Sequence, residues 1–335
     1  MLIYTTSYGR AGLLGNPSDG YFGKTISLAM AEFPAQITIY ESPEIHLVPN
    51  IEDNGDFESL EHMVNEIDRF GYYGGIRLVK ATCRQFFKYC QAHDIVLPKR
   101  NFTLRYKTTV PQLVGLGGSS AICTATLKAL MRFYEVTAIP QAFMPTLCWH
   151  AETDLGINCG LQDRVIQIYN GLMYMDFDED YFKQHDHGIY ERLDASLLPP
   201  IYMAYDPNRA EFSGIYHHKL RVLYEGHKQD IVAAMGEFAD IARQGKEAII
   251  QQNHAELERL INANFDLRCK VLNVAEENAR MVMAARSTGA SAKFAGSGGA
   301  IIGTYHSDKM LQQLRLKLGD IGCSVITPHV VPPES

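Results

Sequence analysis

The chain has 335 residues, 46% of them hydrophobic, and a formal net charge of −7. That length points to about two domains with cores of their own, and the mildly acidic balance argues against a broad nucleic-acid surface, which would carry a basic excess. No apolar run approaches the ~20 residues that span a bilayer, the N-terminus lacks a basic-then-apolar leader, and the seven cysteines form no CxxC; together these read as a soluble cytoplasmic protein with buried free thiols.

The stretch GRAGLLGNPSDGYFGKT (Gly9 to Thr25) is apolar, then dense in Gly, Asn, Pro, Ser and Asp. Short hydrogen-bonding side chains of this kind suit a loop that binds sugar hydroxyls, and they equally suit an ordinary turn. ITIYES (Ile37 to Ser42) and IHLVPN (Ile45 to Asn50) alternate apolar and polar residues around Ser42-Pro43, a hairpin-like signal. The acidic stretch Ile51 to Phe57 reads as loop, Gly75 to His93 as a helix, and FTLRYKTTV (Phe102 to Val110) as a strand.

VPQLVGLGGSSAICTATLKAL (Val110 to Leu130) follows, with Gly115, Gly117 and Gly118 at the entrance to a helix whose apolar face is Ile122, Ala125, Ala129, Leu130 and Phe133. One glycine would serve a sharp turn. Three together let a bulky anion approach bare amides at the positive end of a helix dipole. Ser119 or Ser120 can cap that helix, and a hydroxyl in its first turn can also ligate Mg²⁺ or bond a phosphate oxygen. Two better-known phosphate signatures fail: GYFGKT has Ser18 where a Walker loop needs glycine, and a dinucleotide fingerprint from Gly115 meets Ser120 at its third small position.

A helix over Pro140 to Leu155 ends at Gly156, and one over Leu161 to Asn170 ends at Gly171 before the strand LMYMDF. Glu152 lies near a helix C-terminus, which is electrostatically poor for an anion, so a positive partner such as a metal should compensate. Asp163 lies in the first turn of the next helix, where the dipole favours its ionised form. Patterning fades over Asp178 to Asp194, which reads as the domain boundary. A strand resumes at PPIYMAY, long amphipathic helices cover His227 to Gln252 and His254 to Glu277, and KFAGSGGAIIG (Lys293 to Gly303) is a second glycine cluster running into a strand. Two glycine loops and one polar loop look like three walls of one site. Strands interleaved with helices in both halves indicate an α+β or mixed α/β protein.

The order of these motifs, an N-terminal arginine and aspartate, PxxxGLGxSSA, then KxxGSGG, resembles the GHMP kinases, small-molecule kinases of galactose, homoserine, mevalonate and phosphomevalonate. The resemblance covers nearly the whole chain and implies an α+β, two-domain fold. Residues 1–190 would form a domain related to ribosomal protein S5 domain 2, and residues 195–335 a ferredoxin-like domain. It implies ATP phosphates wrapped by Pro111, Gly115, Leu116, Gly117, Gly118, Ser119, Ser120 and Ala121, and Mg²⁺ on Ser120 and Glu152. It implies Asp163 and Arg10 as catalytic residues, and sugar contacts from Asn16, Asp19, Gly296, Ser297 and Gly298. Ala300 and Ile301 stand where more glycine is common in the last motif.

Within the family, GNPSDGYFGKT and GLQDRVIQIYNGLMYMDF resemble the glucuronokinase branch, which phosphorylates the anomeric hydroxyl of glucuronate. Galacturonate, galactose, arabinose, fucose and heptose kinases are the alternatives, as is a sugar sensor that keeps the fold without turnover. A uronate carboxylate in a closed site needs a cation, for which Lys24, Arg209 and Lys293 are the candidates.

Overall fold

One 19-residue strand, β2 (Lys24–Ser42), organises the first sheet of the computed structural model, which describes residues 1–50, 53, 58–60, 63, 74–157, 160–207, 220–226, 229–272 and 274–334. Along one edge β2 pairs antiparallel with β1 (Leu2–Leu14), with register shifts at Tyr8/Arg10 and Gly12/Leu14. Its other edge takes β4 (Asn101–Thr108) on the C-terminal half and β5 (Leu172–Asp176) on the N-terminal half, and β3 (His46–Val48) and β6 (Ile189–Leu193) complete the sheet. A second sheet runs β10 (Ser324–Ile326), β7 (Ile201–Tyr205), β9 (Ala300–Thr304), β8 (Lys293–Phe294). Mostly antiparallel sheets with separate helices make this an α+β protein.

The first helix, α1 (Gly75–Ala92), matches its expected span. The next, α2 (Gly118–Phe133), is buried almost all round, and Ile122, Ala125, Ala129, Leu130 and Phe133 are at most 2% exposed. α3 (Met144–Thr153) and α4 (Gln162–Tyr169) pack beside it, and Gly156 and Gly171 follow them with φ of +75° and +74°. In the second half, α6 (Gln229–Ile250) and α7 (His254–Val271) lie against β1 and β2. The helix expected over His254 to Glu277 stops at Val271, and α8 (Glu276–Arg286) and α9 (Asp308–Gly319), capped by Ser307, are helices the sequence reading does not contain. No helix among the described residues is long and apolar enough to cross a membrane.

Three expectations need correction. The segments flanking Ser42-Pro43 do not form a hairpin: β3 pairs parallel with β4, which lies between β3 and β2. The Pro43 carbonyl instead accepts from Asn101 Nδ2 at 2.7 Å, and proline has no N–H to extend a ladder. Asp178 to Asp194 is not irregular, since it contains α5 (Glu179–His185) and β6. No α5 residue is buried, and on β6 only Leu193 is; elements that bury so little carry no hydrophobic period. Finally, Cys269 is exposed, whereas Cys90, Cys123, Cys148 and Cys323 are buried free thiols. Most of the acidic stretch 51–57, together with Cys159 and Arg209, lies outside the described residues.

Candidate active site

The chain leaves β4 and turns through Val110 to Leu116 into α2. Gly115 and Gly117 have φ of +75° and +73°, where L side chains are strained. Gly117 is the N-cap and no side chain caps α2, so the first-turn amides lack intrahelical acceptors and carry the positive end of the dipole. Gly118 opens the helix, and the Ala121 N–H makes its first bond, to the Gly117 carbonyl at 3.0 Å. The buried Leu116 accepts the Arg10 N–H at 3.0 Å, and Pro111 sits half-buried at the loop's start.

Neither serine caps the helix. Ser119 Oγ donates to Glu152 Oε1 at 2.7 Å, and Ser120 Oγ lies 3.1 and 3.0 Å from the two oxygens. Glu152 stands near the end of α3, as expected, but its positive partner is Arg164, which the sequence reading did not single out. Arg164 Nε donates to Glu152 Oε2 at 2.5 Å and Nη2 closes on the same oxygen, with both side chains 0% exposed. The Glu152 carboxylate thus links the glycine-loop serines to the helix that carries Asp163. Hydroxyl and carboxylate oxygens are the donors Mg²⁺ prefers, so Ser120 and Glu152 fit that ion, with Arg164 sharing the carboxylate.

Asp163, in the first turn of α4, makes a bidentate pair with Arg10 of β1: Nε–Oδ1 is 2.7 Å and Nη2–Oδ2 is 2.8 Å. Arg10 Nη1 also donates to the Gly115 carbonyl at 2.5 Å, tying the pair to the glycine loop. Asp19 lies nearby, its carboxylate accepting the Gln162 backbone N–H at 3.2 Å and Gln162 Nε2 at 3.0 Å, while Gln162 Oε1 accepts from Ser27. Gly160 permits this approach, because a Cβ there would fall 1.8 Å from Asp19 Oδ2.

The third wall is the loop between β8 and β9. The Gly12 N–H donates to the Ala295 carbonyl at 2.7 Å, Asn16 Nδ2 to the Gly296 carbonyl at 3.4 Å, and a Cβ on Gly296 would lie 2.1 Å from the Gly115 carbonyl. Gly298 crowds the same spot, its carbonyl 3.0 Å from where a Gly115 Cβ would be. On α7, Asn264 binds the N-terminal loop at the Gly15 N–H and the Asn16 carbonyl, and Arg268 one turn on binds the Gly296 and Ser297 carbonyls. Arg10, Asn16, Asp19, Asp163, Gly296 and Ser297 line one cleft. Gln162, inside the stretch GLQDRVIQIYNGLMYMDF, and Arg268, outside every motif, line it too.

The proposed carboxylate ligands fare differently. Lys24 is bonded to Asp176 across the β2–β5 pair. Lys293 is buried, donating to Gly12 O, Asn16 Oδ1 and Phe294 O at 2.6, 2.5 and 2.8 Å. Burial, then Arg268 and Arg10, hold its ammonium well below the usual lysine range.

Asp19 is a buried acid of the cleft. Burial, then the charge of Asp163, push its carboxyl from 3.8 up to about 7, against the Gln162 amide and Arg10. A folded value above the unfolded one means this group favours the native state most below about pH 4, and the benefit is lost as pH rises through 7. The melting temperature of Asp19→Asn relative to the wild type should therefore become more favourable from about pH 5 to pH 8. A difference that stays flat across that range in a calorimetric series would contradict the burial argument.

Residues 77–171 match the family model described as GHMP kinases N terminal domain. Glucuronokinase 1 of Arabidopsis thaliana is 41% identical over 301 residues, spanning 88% of this chain and 83% of that protein. The Listeria innocua Lin0012 protein superposes with a TM-score of 0.80 at 14% identity, covering 100% of this chain and 99% of that one. The Lactococcus lactis galactokinase complexed with galactose gives 0.76 at 13%, covering 98% and 93%. At these identities the two structures establish a shared fold.

Proposed function

Because the chain belongs to the GHMP kinases, we propose that this site transfers the γ-phosphoryl group of ATP to the anomeric hydroxyl of glucuronate, giving glucuronate 1-phosphate. One observation carries the reading. A Cβ on Gly117, the N-cap of the phosphate loop, would lie 3.2 Å from Asp163 Oδ2 and 3.3 Å from Arg10 Cγ. A phosphate on the loop amides and a hydroxyl on Asp163 would therefore be neighbours. The acceptor follows from the 41% identity to glucuronokinases over most of the chain.

Phosphoryl transfer depends on positioning and on stabilising charge spread over the transferring group. In this account the amides of residues 117–120 hold the β- and γ-phosphates of ATP. Asn16, Asp19, Gly296, Ser297 and Gly298 hold the sugar, which lies between the parts supplied by residues 1–190 and 195–335. Asp163 orients the anomeric hydroxyl. Both its oxygens already accept from Arg10, and a loose transition state asks for little proton abstraction before transfer. Arg10 balances the charge that builds on the phosphoryl oxygens. Ser120 and Glu152 are the residues that would hold Mg²⁺, which supplies neutralising charge beside the phosphates.

An ADP-release screen over glucuronate, galacturonate, galactose, arabinose and fucose tests the acceptor. Glucuronate should give the highest kcat/KM, and a neutral sugar in first place would overturn the uronate assignment while leaving a sugar kinase.

Ser120→Ala and Glu152→Gln should each raise the Mg²⁺ concentration needed for half-maximal rate. The two side chains touch, so their effects should combine non-additively in a double-mutant cycle. Full additivity with an unchanged MgCl₂ titration would remove both from the metal site.

A further inference from the structure

We infer that Gln167 is a positioning residue of the transfer step: from helix α4, outside the cleft, it fixes how far the glycine loop stands from Asp163. The inference rests on the kinase reading above and adds a residue to that same site. Gln167 is 0% exposed and is not among the residues that line the cleft. It stands four positions after Asp163 on α4, so both side chains leave the same face of the helix. That face meets Gly117, the N-cap of α2. Gln167 Nε2 donates to the Gly117 carbonyl at 2.8 Å, and a Cβ on Gly117 would lie 3.0 Å from this nitrogen and 3.2 Å from Asp163 Oδ2.

The contact has the features of a pin. A carbonyl oxygen has two lone pairs, and those of Gly117 meet Gln167 Nε2 and the Ala121 N–H, the latter at 3.0 Å. The side-chain amide has one workable orientation, because turning it over would set Oε1 against the Gly117 carbonyl oxygen. The Gln167 main chain is held as well: its carbonyl accepts Lys128 Nζ of α2 at 3.2 Å and Ser7 Oγ of β1 at 3.4 Å. Arg10 supplies a first tie between Asp163 and the loop, through the Gly115 carbonyl. A loop held at one point can pivot about it, whereas a loop held at both Gly115 and Gly117 cannot. Reacting atoms must come within about 3–3.5 Å, and a misplacement of about 1 Å can cost about 10²-fold in rate. Losing the second tie therefore acts on transfer more than on the binding of either substrate.

Two variants test this. Gln167→Met keeps the side chain's length and removes the donor, and Gln167→Glu keeps its shape and sets an oxygen against the Gly117 carbonyl. In both, single-turnover transfer from ATP to glucuronate should slow by about 10- to 100-fold, while Kd for ATP and KM for glucuronate stay within about threefold of the wild type. If one variant does not fold, the other carries the test. Because Gln167 works by placing the loop against Asp163, the effect of Gln167→Met on the rate should largely disappear in an Asp163→Asn background. Full additivity of those two substitutions, an unchanged transfer rate, or a loss of ATP affinity as large as the loss of rate would overturn the inference and leave Gln167 a support of the fold. A wild type that releases ADP with a different sugar and not with glucuronate would instead sink the acceptor assignment, and the same variants are then measured with that sugar.

Discussion

Asp163→Asn is expected to lower kcat by about 10²- to 10⁴-fold, the range for a group acting on a transferred proton or its hydroxyl, while ATP affinity stays near the wild-type value. The substitution keeps the volume and replaces one acceptor oxygen with an NH₂ that faces the Arg10 fork. Arg10 retains its 2.5 Å bond to the Gly115 carbonyl, so the glycine loop keeps its anchor while the sugar hydroxyl loses its orienting charge. Single-turnover kinetics with a nucleotide-binding titration separates the two effects. A variant that kept more than about a tenth of the wild-type rate would exclude Asp163 from the reaction, given the size of effect such groups have. A variant that lost ATP binding in proportion would make the pair a structural support of the phosphate loop instead.

Arg164→Met should be the most destabilising single change near the site, by about 3–5 kcal/mol, because it strands Glu152 as a buried carboxylate without its cation. Both side chains are 0% exposed, which is why the effect is large. By contrast, Lys183 and Glu179 form an i,i+4 pair on the α5 surface with both partners at least half exposed, where solvent screens the charges and deletion should leave stability nearly unchanged. Urea unfolding of the two variants gives the contrast directly. Adding Glu152→Gln to Arg164→Met should recover part of the loss, since the stranded charge is then gone. A loss below about 1 kcal/mol for Arg164→Met would mean that water or another cation reaches Glu152, against the burial seen here.

The parts of this site that depend on backbone conformation were legible in the sequence. Gly115 and Gly117 stand out because only glycine adopts their positive φ cheaply, and the helix behind them announces itself through Ile122, Ala125 and Phe133. Asp163 could be placed in a first turn because Gly171 marks where its helix stops. The pairings between side chains that complete the site were not legible, and the reason is distance along the chain. Arg268 meets Gly296 across 28 positions and Arg10 meets Asp163 across 153; no local period encodes such pairs. Arg164 hid differently. It sits on a short helix whose inward face looks polar, and only the fold shows that face packing against Glu152. Elements with little to bury, such as α5, were lost for the opposite reason: without a core-facing stripe they resemble loop.

The most direct measurement of the central claim is the product itself. Incubating the protein with ATP, Mg²⁺ and glucuronate and recording ¹H–³¹P correlation spectra should show one new phosphorus resonance coupled to the anomeric proton, appearing in step with ADP. Phosphorus coupled to a different sugar proton, or ADP release with no sugar phosphate formed, would contradict transfer to the anomeric hydroxyl at this site.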